Sequence, residues 1–369
     1  MIWEPELLDD QGHLVAADPS GMLPAVASAA AQIRTGRRLA AEAGVGAVAA
    51  DGRPRAIVTL GMGVSGVAGE ILTAVCGNGA PIPVTTASGH RLPGWIGAND
   101  LVFAVSASGA TEETLGLAWE ASRRGCRLVG VGRPGSPLQS LCTQRGAPFV
   151  PVEAASGHAR AALWALTVPL IVAASSLGLA DVAEPVYESA AALLEDLAHR
   201  CRPSSETFIN PGKTLAMELA ESVPMVWGSS ALPIVAAHRL VHQLYENAKY
   251  PAIFGELPEA AHNQVAAFDG PLAERDIFAD TQGRQLRLFV LRDTEEDERE
   301  TSTRGTTVRL AENRDVRVSE LMAEGRHPLE RLATLIGLAD FASVYLALGY
   351  GIDPTPVSAV RELKARIAR

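Results

Sequence analysis

The stretch Leu101–Thr114 reads LVFAVSASGATEET. Its first five residues are an unbroken apolar run, the pattern of a short strand covered on both faces. A turn of small and polar residues follows at once, and a helical pattern then runs over Thr114–Arg124. Apolar strand, small-residue turn and helix in that order are the building unit of a parallel α/β sheet. The turn itself carries chemistry. The hydroxyls of Ser106, Ser108 and Thr111, together with the free N–H groups of a helix start, form a neutral cradle for a phosphate dianion. The plainer alternative is a helix cap, with Ser108 or Thr111 capping and Glu following. A cap uses one hydroxyl and leaves two without a role.

Working outward, the same unit recurs. Upstream, Ala56–Leu60 (AIVTL) leads into GMGVSG at Gly61–Gly66 and a helical stretch, VAGEILTAV. Glycines between a strand and a helix let a ligand approach the backbone, which makes Ser65 and its loop a second anion candidate. The spacing is not GxGxxG and no acidic residue stands at the ribose-binding offset, so a dinucleotide site is the weaker reading. Further strands are expected at Pro83–Thr86, Arg127–Val131 and Phe149–Val152. Apolar strands alternating with helices predict a doubly wound parallel sheet flanked by helices.

The helical stretch Asp181–His199 and the polar segment Arg200–Lys213 read as the boundary between domains. The pattern then restarts: strand Val223–Trp227, turn GSS, helix Ala231–Ala248, strand Leu286–Leu291 and a long helix Leu329–Leu348. A second strand–Gly/Ser–helix unit suggests an internal duplication. Before Arg55, DPSGMLPAVASAAAQIRTGRRLAAEAG reads as a helix capped by Asp18 or Ser20. The expected division is an N-terminal arm and helix over 1–50, a first domain over 51–199 and a second over 200–369.

The chain has 369 residues, 47% hydrophobic and 20% charged, a globular composition with room for two cores. Aromatics are only 5%, so packing must rely on close helix–sheet approach. A net charge of −10 disfavours a nucleic-acid or anionic-membrane surface, since both need a basic field. It leaves small anionic ligands open, because local N–H groups and a few cations suffice for them. Cys76, Cys126, Cys142 and Cys201 form no CxxC. With no signal-peptide pattern at the start, they read as reduced packing thiols of a cytoplasmic protein.

Three features are weighed as decoys. Ala161–Ala180 carries no charge and is long enough to span a bilayer, but Pro169 and the flanking soluble patterns favour a buried helix with a kink or break. The acidic run Asp293–Glu300 (DTEEDERE) is most simply a solvated loop or helix end. His238 and His242 stand four apart on a helix, a metal-capable spacing without a third ligand nearby.

The segment SASGATEETL resembles the SIS (sugar isomerase) domain signature. The whole chain is similar to the bifunctional phosphoglucose/phosphomannose isomerase family. Besides that segment, the runs that carry the resemblance are DPSGM at Asp18–Met22, GMGVSGVAGE at Gly61–Glu70, YENAKYPAIFGELPEAAHNQ at Tyr245–Gln264 and DPTPVSAVRELKARI at Asp353–Ile367. The resemblance implies two SIS domains and a homodimer whose active sites are completed across the interface. It implies a phosphosugar substrate bound at Ser65, Ser106, Ser108 and Thr111, and catalytic roles for Arg160, Glu246, His262 and Lys364.

Those roles fit the chemistry of aldose–ketose isomerisation. A carboxylate such as Glu246 can move the proton between C2 and C1 through an enediol. An imidazole, His262, can protonate the ring oxygen during ring opening. Arg160 and Lys364 can stabilise the enediolate charge. The reaction calls for no metal and no cofactor.

Departures from the family pattern concern the lining. Val64 stands where a second glycine is usual, Ala107 where an aromatic is common and Ala110 where Asn is common. Tyr245 replaces the Asn before Glu246, and Gly157-His158-Ala159-Arg160 replaces the run around the arginine. A β-branched Val64 resists positive φ and takes space near the ligand. The competing readings are an isomerase for a different phosphosugar and a phosphosugar-binding regulatory protein with lapsed catalysis. A nucleotide-dependent enzyme is disfavoured, because neither a Walker motif nor a Rossmann fingerprint is present.

Overall fold

The computed structural model describes residues 2–153, 158–273 and 284–367. In chain order its helices begin with α1 (Gln11–Ala17), α2 (Met22–Ala27) and α3 (Ala29–Glu42). Then come β1 (Ile57–Leu60), α4 (Val64–Cys76), β2 (Val84–Ala87), β3 (Leu101–Ser106), α5 (Glu112–Arg123), β4 (Arg127–Gly132), α6 (Pro137–Arg145), β5 (Phe149–Pro151) and α7 (Leu163–Ser176). They are followed by α8 (Glu184–Arg200), α9 (Pro211–Leu219), β6 (Ser222–Gly228), α10 (Ala231–Glu246), β7 (Ile253–Glu256) and α11 (Ala260–Asn263). The last elements are β8 (Gln285–Arg292), α12 (Glu298–Glu312), β9 (Arg317–Met322), α13 (Pro328–Gly349) and α14 (Ser358–Ile367).

Two compact units emerge. The N-terminal unit is Ala27–Glu195 with His327–Glu330; the C-terminal unit is Met1–Val26, Asp196–Arg326 and Arg331–Arg369. One division falls within α8, between Glu195 and Asp196. The polar segment after it is well packed inside the C-terminal unit: Lys213 is buried and its Nζ donates to Ser205 O at 2.7 Å, Pro203 O at 2.9 Å and Asp9 Oδ1 at 3.1 Å.

In the N-terminal unit the strands lie in the order β2-β1-β3-β4-β5, every neighbouring pair parallel. All residues of β1 and β3 are buried, as their unbroken apolar runs require for a sheet covered on both faces. On one face Val58, Val102 and Ala104 pack with Leu117, Ala118 and Ala121 of α5 and Leu138, Leu141 and Cys142 of α6. Helix α4 lies against β1 and β2 so closely that a Cβ on Gly69 would sit 2.6 Å from Thr59 Cβ. A small residue at that point is a steric necessity, in keeping with the low aromatic content.

The apolar stretch 161–180 forms α7, which runs without a break through Pro169 and is buried along nearly its whole length. Its sequence is apolar all round because protein, not lipid, surrounds it. Helix α13 is also long and apolar enough to cross a membrane, yet 94% of its apolar window is buried, which marks a core helix.

In the C-terminal unit the order is β7-β6-β8-β9, again all parallel. This repeats the order β2-β1-β3-β4 of the first sheet, so the duplication expected from the strand–turn–helix units is present in the topology. Trp227, Leu288 and Val290 anchor a core with Leu257, Phe268 and Ala311. Both sheets are thus parallel and helix-flanked, the α/β class expected from sequence.

Candidate functional site

In the order 2-1-3-4-5 the chain leaves β1 toward one edge and returns at β3 on its other side. The crevice beyond the carboxyl ends of β1 and β3 is therefore the topological switch point, where open α/β sheets bind ligands. Both sequence-derived anion candidates sit there. Gly61–Gly63 follows β1, and Ser106–Thr111 follows β3, with Leu60 paired to Ala104 in register.

The second loop is the better formed. Ser106 is buried at the end of β3, and its Oγ shares a hydrogen bond with Thr111 Oγ1 at 3.0 Å. Ser108 Oγ stands 3.4 Å from Ser106 Oγ and 3.5 Å from Thr111 Oγ1, closing a triangle of hydroxyl oxygens. Ser108 Oγ also accepts from the Ala110 N–H at 3.2 Å. Thr111 occupies the N-cap of α5, but its side chain caps no helical N–H. The capping alternative therefore accounts for the position of Thr111 and not for its hydroxyl. Gly109 makes the turn possible: its φ is +66°, and a Cβ there would stand 2.1 Å from Ser136 Oγ.

The first loop answers the question raised by Val64. Gly63 takes the positive φ, +55°, and Val64 is the first residue of α4 with ordinary helical backbone. The β-branched side chain is thus under no backbone strain, and its effect is confined to space at the loop. Ser65 lies one residue further into the helix and is buried. Arg160 belongs to the same unit, half-buried in the short 3-10 turn Ala159–Ala161. Gly157, the start of the divergent run before it, lies outside the described residues.

The other three assigned residues belong to the C-terminal unit. Glu246 ends α10 and is half-buried, His262 is exposed on α11, and Lys364 is exposed in the last turn of α14. Helix α10 runs from the carboxyl end of β6 back to the start of β7, whereas His262 follows the end of β7. Within one unit the carboxylate and the imidazole therefore lie at opposite ends of that strand, which spans roughly 13 Å. The fold brings the hydroxyl cradle together; it does not bring Glu246 and His262 together.

His238 and His242 pack ring on ring at 4.1 Å, with Phe254 5.1 Å from His238. No cluster of three or more His, Cys, Asp or Glu suited to a metal occurs among the described residues.

Sequence reasoning missed a buried ionic network in the acidic run. Asp293 is buried against Arg331 at 2.7 Å, and Glu296 accepts from Arg304 Nε at 2.8 Å and from Ser229 Oγ at 2.5 Å. Thr294, Glu295, Asp297, Glu298 and Arg299 are exposed, as the solvated reading expects, and Asp297 and Glu300 form a capping box for α12. The D-x-x-E spacing was a legible signal for that cap. The burial of Asp293 and Glu296 had none, because their arginine partners are distant or unremarkable in sequence.

Comparisons with known proteins bear on the family and the fold. Residues 208–367 match the family described as bacterial phospho-glucose isomerase C-terminal SIS domain. The bifunctional phosphoglucose/phosphomannose isomerase of Caldicellulosiruptor bescii is 30% identical over 312 residues, covering 85% of this chain and 89% of that protein. The protein of the same name from Aquifex aeolicus is 29% identical, covering 85% and 91%. Tagatose-6-phosphate ketose/aldose isomerase from Escherichia coli superposes with a TM-score of 0.65 at 12% identity, over 91% of this chain and 94% of that one, which shows a shared fold. By its similarity to these relatives along most of its length, the chain belongs to the bifunctional phosphoglucose/phosphomannose isomerase family.

Proposed function

We propose that this protein is an aldose–ketose isomerase that interconverts glucose 6-phosphate, mannose 6-phosphate or both with fructose 6-phosphate through an enediol. The observation that carries the reading is the hydroxyl triangle of Ser106, Ser108 and Thr111 at the switch point of a parallel sheet, in a chain of this family. A phosphate dianion there would accept from the hydroxyls and from the N–H groups at the start of α5. Ser65, at the neighbouring loop, would complete the binding from the β1 side.

In this reading Glu246 moves the proton between C1 and C2, and His262 assists ring opening. Arg160 and Lys364 stabilise the charge that develops on the enediolate oxygens. Proton transfer between adjacent carbons is redox-neutral for the sugar as a whole, so no redox cofactor is needed, and in this reading Arg160 and Lys364 supply the positive charge that a metal ion could otherwise supply. The separation of Glu246 and His262 along β7 favours a homodimer in which a second copy contributes one of the two to each site. We place the protein in the cytoplasm, where phosphosugars and reduced thiols are found together.

A coupled assay with fructose 6-phosphate, following each aldose separately with and without EDTA, tests the reading beside Glu246→Gln. Formation of an aldose that resists EDTA and disappears in the variant is the expected result. Failure to form either aldose, with phosphosugar binding intact, would overturn it and leave a binding protein or an isomerase for another phosphosugar.

A further inference from the structure

The C-terminal unit holds a cavity of about 550 Å³ at the amino-terminal edge of its sheet, where β6, β8 and β9 begin. None of Ser65, Ser106, Ser108, Thr111, Arg160, Glu246, His262 and Lys364 lines it. Its wall is aromatic on one side, with the rings of Trp3 and Tyr350 5.1 Å apart and tilted. Three arginines, Arg284, Arg287 and Arg317, meet two carboxylates, Glu218 and Glu221.

The arginines are not equivalent. Arg287 is fixed: its Nε and Nη2 donate to Ser319 Oγ at 3.0 and 2.8 Å, and Nη2 lies 3.3 Å from Glu218 Oε2. Burial pulls its guanidinium below the ordinary arginine value; Glu218 opposes that, and the nearby charge of Arg317 adds to it. Arg284 is exposed and lies over the Tyr250 ring at 4.8 Å. Arg317 is exposed and makes no salt bridge among the described residues. Glu218 already serves Arg287, so among the described residues the lining carries more positive charge than its carboxylates neutralise. A chain of net charge −10 has many carboxylates that could have balanced it. Like charges gathered around a hollow repel one another, and a bound anion removes that cost.

We propose that this cavity is a binding site for a small organic anion, its oxyanion group meeting Arg284 and Arg317 and its flat body lying against Trp3. Guanidinium groups recognise carboxylate and phosphate oxygens alike, through paired N–H donors. An indole face favours a planar or ring-shaped body. The site depends only on residues of the C-terminal unit and stands whether or not the chain isomerises sugars.

Calorimetric titration of the full-length protein with phenyl phosphate and with benzoate tests it. Four proteins are compared: wild type, Arg284→Gln/Arg317→Gln, Trp3→Ala and Ser108→Ala/Thr111→Ala. The expected result is binding of at least one probe that survives in the cradle variant. It weakens at least about tenfold in the double arginine variant, the effect of losing charge-assisted hydrogen bonds, and measurably in Trp3→Ala. Which probe binds separates a phosphate ligand from a carboxylate one. The arginines are exposed, so circular dichroism should show both variants folded. Fructose 6-phosphate turnover, measured in parallel, reports separately on the isomerase reading. Binding that is indifferent to the arginine pair, binding confined to the Ser108 and Thr111 hydroxyls, or no binding of either probe would overturn the proposal.

Discussion

Ser229 Oγ donates to Glu296 Oε1 at 2.5 Å, while Arg304 Nε holds the other carboxylate oxygen at 2.8 Å. Ser229 follows β6 as the glycine loop follows β1, and Glu296 follows β8 as the hydroxyl cradle follows β3. In the second copy of the unit, then, the loop after the third strand in sheet order supplies a carboxylate of the chain itself. Among the described residues, Glu296→Ala leaves the buried guanidinium of Arg304 with Glu320 alone, 3.4 Å away. The expected loss is about 3 kcal/mol of unfolding free energy, at the lower end for breaking a buried pair. Glu296→Gln, which keeps the shape, should lose less. Urea denaturation of the three proteins checks both values; equal midpoints would show that the pair contributes nothing.

The cradle predicts a binding defect rather than a folding defect. Ser108 is exposed and Thr111 half-buried, so Ser108→Ala and Thr111→Ala should leave the melting temperature nearly unchanged. Each removes a donor to a charged acceptor, which corresponds to roughly tenfold or more in KM for a phosphosugar. Gly109→Ala differs in kind, because the new Cβ would collide with Ser136 in a backbone that disfavours it. It should destabilise the N-terminal unit by more than 1 kcal/mol, on the order of a strained left-handed residue. Steady-state kinetics and thermal melts separate the two classes.

Asp100 sets an acid limit on the N-terminal unit. Its carboxylate is buried and accepts from Arg55 Nε at 2.9 Å and from the Gly97 N–H at 2.8 Å. Burial works to raise its pKa, but the hydrogen bonds from Arg55 and the backbone outweigh it and hold the carboxyl below the ordinary 3.8. Between the folded and unfolded values the unfolded chain binds more protons, so stability rises with pH there. The contribution is complete above the unfolded value and is lost as pH falls through the folded one. The stability gap between wild type and Asp100→Asn should therefore be constant from about pH 5 to 7 and shrink below roughly pH 4. A gap that widened in acid would contradict the assignment.

The thiols should be inert in the native protein. Burial pushes Cys76 and Cys142 up to about 11 and Cys201 up to about 12, and it raises Cys126 as well. At pH 8 the reactive thiolate is then a small minority, on the order of a thousandth for the first two. A disulfide reagent should release almost no chromophore until denaturant is added, after which all four cysteines react. Rapid native reaction of even one equivalent would point to an opening of the core.

Much of this molecule is legible along the chain. The run LVFAV, the turn SASGAT and the helix after it predicted a parallel sheet with three hydroxyls gathered at a helix start, and β3, the hydroxyl triangle and α5 are those elements. The short strand β7, the exposed-patterned β9 and helix α6 went unread. Each is too brief or too mixed for periodicity to mark, and each is specified by its neighbours in the sheet. DTEEDERE is mostly solvated, as it reads, but nothing local marks Asp293 and Glu296 as the buried partners of Arg331 and Arg304.

What the sequence determined by itself was local. Apolar runs, glycines at tight turns and small polar residues at helix starts are set by backbone sterics and by the burial of contiguous apolar surface, which operate within a dozen residues. Those signals also carried the family resemblance. What only the tertiary structure decided was which charges meet. The Arg55–Asp100 pair bridges 45 residues of chain and Ser229–Glu296 bridges 67. The gathering of Arg284, Arg287 and Arg317 beside Trp3 joins the start of the chain to the beginnings of β8 and β9. Charged side chains carry no periodicity that announces a partner. Their pairing is fixed by where the parallel strands place their ends, and that is a property of the folded sheet.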